Sequence, residues 1–198
     1  MVDIVKVMNL LMKNPIPDNI RLFLVNEHGV YVYVNKGKMQ MGHRFAGFFA
    51  FDRINRGQIL DSFSKVEFLI NELMRLILVG FDLKKSELFI SLISKLSFSA
   101  RLSVLKKWKI IDKPLEDKWN TLYGQVRNGL AHKFSEEEVT YKDKFLKEPE
   151  VLKQFKNDCD NAWTELVQIY RQQEDNIDVE SLTNILEEYK QELTNKQQ

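Results

Sequence analysis

The chain has 198 residues, 44% of them hydrophobic and 29% charged, with a formal net charge of +1. That length can bury a substantial core, and the mixture is that of an ordinary globular protein, not of a disordered chain. One cysteine, Cys159, leaves no internal disulfide and no cysteine zinc site, which points to a reducing cytoplasm.

Residues 1–13 read as a short amphipathic helix with Val5, Met8 and Met12 at helical spacing, stopped by Pro15 and Pro17. Asp3 and Lys6 lie inside this apolar start, so a signal peptide is not expected. Two β-rich runs follow, Ile20 to Val25 and Val30 to Val34, flanking Asn26-Glu27-His28-Gly29 as the turn of a hairpin. Residues 36–57, with four glycines and Phe45, Phe48, Phe49 and Phe51, read as an irregular connection covering the core.

From residue 58 the pattern turns helical. Ile59, Phe63, Val66, Ile70, Leu73 and Ile77 recur at steps of four and three, a helix stripe that Gly80 can end. Shorter helices are expected over 86–96 and 99–111, and Pro114 opens the next, from Leu115 to about Lys133. A mixed-charge linker containing Pro149 leads to a helix over 150–173, and a polar helix covers 179–195. No uncharged run approaches the roughly 18 residues of a membrane span. The expectation is a mainly α protein: a helical bundle over 58–175, with a helix and β-hairpin extension over 1–57 packed on it and a polar C-terminal helix over 176–198.

Charge is unevenly spread. Residues 1–133 hold 21 Lys and Arg against 12 Asp and Glu, while residues 134–198 hold 8 against 16. An anionic partner would therefore meet the front part, unless the pattern is only a solvated surface.

The helix 115–133 carries the strongest functional signal. Leu115, Trp119, Leu122, Tyr123, Val126 and Leu130 fall within one arc of its circumference, which is the core face. The other side carries Thr121, Gly124, Gln125, Asn128 and His132, flanked by Arg127 and Ala131. A solvated face normally carries Lys and Glu. This one is small and polar, and Gly124 and Gly129 each cost about 1 kcal/mol of helix propensity relative to alanine. Such a face admits a second backbone, and another copy of this chain is the natural visitor.

The run Arg127-Asn128-Gly129-Leu130-Ala131-His132 resembles the R-x4-H motif of the HEPN superfamily, and a long helix, two short ones and a motif-ending helix precede it in the expected order. The resemblance covers residues 58–173. It implies a dimeric, metal-independent ribonuclease, of the kind used as toxins or defence effectors, cleaving single-stranded RNA in a cleft shared by two motif helices. His132 would be the acid/base residue, Arg127 the phosphate-binding cation and Asn128 their polar partner, with Gln125 and Lys133 beside them on the RNA. An antitoxin or regulatory partner would restrain such an enzyme. Imidazole and guanidinium suit the chemistry, and no cofactor is called for: no carboxylate and histidine cluster has metal-ligand spacing. On an ideal helix, however, Arg127 and His132 point about 140° apart.

A second resemblance competes. Ser97-Phe98-Ser99-Ala100-Arg101-Leu102, then Leu105 to Ile111, then the same Arg-Asn to Ala-His ending, is similar to the mannitol operon repressor-like family. It implies a helical regulator or scaffold without nuclease activity, in which the arginine and histidine cap the bundle.

Other residues carry weaker signals. Lys95, Arg101, Lys106, Lys107, Lys109 and Lys113 face Asp112 alone, a cluster able to track RNA phosphates or to be the wet side of a short helix. Glu67, at the edge of the first long stripe, reads as a surface carboxylate or as a partner of Arg127. His28 and His43 read as surface histidines, and Trp108, Trp119 and Trp163 as packing.

Overall fold

The computed structural model describes residues 3–26, 29–42, 55–80, 82–132, 138–175 and 177–196. The first helix, α1, spans Ile4–Lys13 and is capped by Asp3, whose carboxylate accepts from the Val5 and Lys6 amides. Its buried face is Val7 and Leu11, while Val5 and Met12 are 59% and 54% exposed. The expected Val5, Met8 and Met12 stripe is thus corrected. The helix carries two apolar stripes, and its neighbours cover the one that includes Val7 and Leu11.

Strands β1 (Arg21–Val25) and β2 (Tyr31–Asn35) form the expected antiparallel hairpin, with Phe23 opposite Tyr33. A third strand, β3 (Lys38–Gly42), pairs with β2, so the stretch expected to be irregular from residue 36 is sheet over those residues. The turn between them places Lys36 and Gly37 at φ 51° and 71°, the left-handed pair whose twist suits a two-residue hairpin. The phenylalanine cluster at Phe45, Phe48, Phe49 and Phe51, with His28 and His43, lies outside the described residues.

Helix α2 spans Arg56–Val79. Ile59, Phe63, Val66, Ile70 and Leu73 are buried as the stripe requires, and Gly80, at φ 66°, follows its end. Helices α3 (Leu83–Ile93) and α4 (Phe98–Lys107) begin at Asp82 and Ser97, whose side chains accept the Lys85 and Ala100 amides.

The next helix starts as α5 (Lys113–Thr121), with Asp112 bonding the Leu115 amide and Pro114 in the first turn. It then passes through a π-helical turn over Leu122–Arg127 and ends as α6 (Asn128–His132). Leu115, Trp119, Leu122, Val126 and Leu130 are all buried, so the core face survives the wider turn. A two-stranded ribbon follows, β4 (Thr140–Tyr141) and β5 (Lys144–Phe145), then α7 (Pro149–Glu174) and α8 (Val179–Asn195).

The chain forms two compact units, each built from separated stretches. One contains Met1–Ala46, Glu72–Lys95 and Tyr170–Gln198; the other contains Gly47–Asn71 and Leu96–Ile169. In the first, the strands are bound by their backbone to the end of α7: the Tyr170 hydroxyl donates to the Phe23 carbonyl at 2.9 Å, and Glu174 accepts the Val25 amide at 2.8 Å. Among the described residues no single helix is long and apolar enough to cross a membrane.

Candidate functional site

The second unit holds the motif helix. Tyr123 is positioned by the π turn, flanked edge-on by Phe63 and stacked on Phe98 with ring centroids 3.9 Å apart. Its hydroxyl donates to Glu67 Oε1 at 2.6 Å. Burial, and then the nearby Glu67 carboxylate, push the phenol up to about 12, so the proton stays on the tyrosine.

Glu67 is the centre of this arrangement. Its other oxygen, Oε2, receives Arg101 Nη2 at 3.3 Å, and Arg101 Nη1 donates to Asn71 Oδ1 at 2.7 Å. Arg127 lies with its guanidinium carbon 4.9 Å from the centre of the Tyr123 ring and its Nη2 3.8 Å from Glu67 Oε1. Its Nη1 donates to Asn128 Oδ1 at 3.3 Å. Two arginines and a phenol therefore share one carboxylate. Arg101 is sealed in, at 6% exposure, whereas the Arg127 side chain keeps 32% of its surface open.

His132 ends α6 and is exposed. Because residues 128–132 are α-helical and Arg127 leans back over the preceding turn toward Tyr123, the two side chains of the motif do not meet within one chain. The π turn ends at Arg127, and the α-helix that follows keeps the phase from Arg127 to His132 that of an ordinary helix.

Part of the small, polar face is already covered by the chain itself. A Cβ added at Gly129 would lie 3.2 Å from Val139 Cγ1, so this glycine admits the segment leading into β4. Gln125 Oε1 accepts the Lys142 amide at 2.9 Å and fastens the ribbon to the helix. The ribbon is fastened again where Tyr141 and Lys142 both donate to Asp158 Oδ2 at 2.7 Å. Gly124 has open space above it. What stays accessible is Gly124, Gln125, Arg127, Asn128 and His132; Lys133 lies outside the described residues.

The expected basic cluster divides. Arg101 is an internal tie, not a surface cation. Lys106 is bound to Glu116 at 2.8 Å, and Lys113 reaches Glu116 and Asp117. The bond from Lys106, which outweighs the opposing effect of burial, holds the Glu116 carboxyl below its ordinary value. Lys107 is exposed. Trp119 and Trp163 are buried as expected, but Trp108 is 39% exposed, which corrects its reading as packing.

The sequence pattern does not mark two residues central to this geometry. Tyr123 was placed wholly on the core face, yet it is half-buried with its hydroxyl on Glu67. Asn71 gave no signal. The sign for Glu67 was its position between Phe63 and Ile70, where an unpaired carboxylate would be costly. Among the described residues no group of His, Cys, Asp and Glu side chains is arranged to hold a metal ion. No family model matches the chain, and neither the curated proteins nor the solved structures contain a match.

Proposed function

We propose that this protein is a metal-independent endoribonuclease of HEPN type, cutting single-stranded RNA in a cleft formed by two copies of the motif helix. The reading is supported by one observation above others: Arg127, Asn128 and His132 keep open surface at the end of a helix whose opposite, apolar face is buried, and Arg127 is held in place by groups that leave part of it free.

His132, as neutral imidazole, takes the ribose 2′-hydroxyl proton while the 2′-oxygen attacks phosphorus. The bond from phosphorus to the 5′-oxygen breaks, the departing oxygen receives a proton from the second copy's imidazolium, and the products are a cyclic phosphate and a 5′-hydroxyl. Arg127 stabilises the charge building on the phosphoryl oxygens, and Asn128 holds its Nη1. Because Arg127 and His132 diverge within one chain, the pair that acts on one phosphate comes from two chains. A two-fold contact around Gly124 brings them together. Such an enzyme acts in a cytoplasm, as a toxin or defence effector under an antitoxin or regulatory partner.

Purified protein incubated with labelled single-stranded RNA, with and without chelator, tests the reading. Cleavage unaffected by chelator and ending in cyclic phosphate is expected, from a species with the mass of a dimer. His132→Ala and Arg127→Ala each lower the rate by on the order of 10²-fold or more. The second reading, a regulator or scaffold, draws on the inward set of Arg127, since a guanidinium bound to Glu67 and Tyr123 is also a structural clamp. It requires no cleavage by the wild type and a marked loss of stability in Arg127→Ala.

A further inference from the structure

The end of α4 is built in an unusual way. Lys109 donates its amide to the Lys106 carbonyl at 2.9 Å and Ile110 donates to the Leu105 carbonyl at 3.0 Å, the paired bonds of a Schellman ending. The residue in the left-handed position of that ending is ordinarily glycine; here it is Lys109, at φ 60°. Before it stands Trp108, 39% exposed, and before that Lys107, also exposed. Once Arg101 is assigned to Glu67 and Asn71, and Lys106 and Lys113 to Glu116, the cations of this basic stretch left open are Lys95, ahead of α4, and Lys107 and Lys109 at its end. Asp112, the carboxylate nearest in sequence, is engaged at the start of α5.

We propose that Lys107, Trp108 and Lys109 form a docking platform for single-stranded RNA, in which a base stacks on the indole and the flanking phosphates meet the two lysines. An exposed aromatic between open cations is what sequence-tolerant binding of a single strand needs, because every base has a face to stack and every nucleotide a phosphate. A protein partner would also favour tryptophan, but the cores of protein interfaces are depleted of lysine, and here two flank the ring. The platform rests on the proposed ribonuclease reading for its purpose and deepens it. Lys106 joins the end of α4 to Glu116 in the first turns of the motif helix. From there to His132 the helix runs roughly 25 Å, so a strand several nucleotides long spans from platform to cleavage site.

The test uses the full chain carrying His132→Ala, in which the proposed cleavage is slowed by on the order of 10²-fold, and a labelled single-stranded RNA of mixed sequence. Trp108→Ala is expected to weaken binding about tenfold or more, and Trp108→Phe, which keeps a ring, to bind nearly as tightly. Removing both Lys107 and Lys109 as alanines lowers the salt dependence, by about 1.4 units in the slope of log affinity against log salt. RNA quenches tryptophan fluorescence through Trp108, since Trp119 and Trp163 are buried, and Trp108→Phe abolishes that quenching. Thermal melts of both Trp108 variants show whether each is folded. A folded Trp108→Ala that binds RNA as tightly as its parent overturns the platform, as does equal affinity for duplex RNA. Quenching by an acidic peptide without any RNA binding overturns it in favour of a protein partner. The two readings separate cleanly: RNA binding through Trp108 without cleavage by the wild type sinks the nuclease and keeps the platform. Cleavage that Trp108→Ala leaves unchanged in KM does the reverse.

Discussion

Helix α2 carries two glutamates five residues apart, and each is shared by two arginines. Glu72, in the first unit, is fully buried between Arg21, whose Nε lies at 3.2 Å, and Arg75, whose Nε lies at 2.6 Å. Arg75 is itself fully buried and also binds the Gly80 carbonyl at the end of the helix. Glu67, in the second unit, has the same chemistry around a carboxylate that is partly open, and one of its arginines reaches the surface. The difference teaches how one arrangement serves two ends. Sealed from water, a carboxylate between guanidiniums is a structural joint whose parts cannot be removed singly. Left open on one side, it holds an arginine in place while leaving that arginine able to meet an anion.

The largest effect is expected from breaking the sealed joint. Glu72→Gln leaves the buried Arg75 and the largely covered Arg21 short of a counter-charge and is expected to cost about 3–5 kcal/mol, read from urea unfolding. If the cost falls within a few tenths, the joint is not sealed as described.

Glu174, also buried in the first unit, offers a pH-dependent contrast. Burial, opposed by its bond to the Val25 amide, raises its carboxyl from 4.5 to about 8. The unfolded chain therefore ionises at lower pH than the folded one. Stability from this group is present below about pH 4.5 and is lost as pH rises toward about 8. Glu174→Gln, which keeps an acceptor and never ionises, is expected to gain on the wild type over that window by up to about 5 kcal/mol, and to track it beyond. Unfolding curves of the two proteins at pH 5, 7 and 9 measure the difference; parallel curves would contradict the assignment.

Glu67→Gln should be milder, about 1–2 kcal/mol, because water reaches the site and shares the cost. Its sharper consequence is functional. Arg127 loses its anchor, so under the ribonuclease reading cleavage falls further than stability does. A variant equally stable and equally active would show that the open joint positions nothing.

The smallest effects separate the two glycines of the motif helix. Gly124→Ala enters open space and is expected to stabilise the folded chain by about 0.5–1 kcal/mol. Gly129→Ala meets Val139 and is expected to show no such gain. Paired thermal melts decide it, and equal gains at both sites would mean that the Val139 segment yields freely.

Much of this molecule was legible in the sequence because periodicity reports which side of an element is apolar. The stripe from Ile59 to Leu73, the core face from Leu115 to Leu130, the hairpin and the helix over Val179–Asn195 follow from local pattern, caps and breakers, and so does the mainly helical class. Pattern fails where two local answers are equally good. In α1, a Val5, Met8 and Met12 stripe competes with one through Val7 and Leu11, and the packing partner selected the second. The Lys36-Gly37 turn, which folds β3 onto β2, was masked by reading its glycine as irregularity. Long-range chemistry left fainter marks still. Arg101 lies 34 residues from Glu67 and Tyr123 lies 56 away, so no window along the chain contains their shared site. The sequence alone determined which residues could carry charge and chemistry at Arg127, Asn128 and His132. Only the tertiary structure decided that Arg101 is buried, that Trp108 is open and that Glu67 is shared, because burial and pairing depend on which surfaces meet and not on the order of residues along a helix.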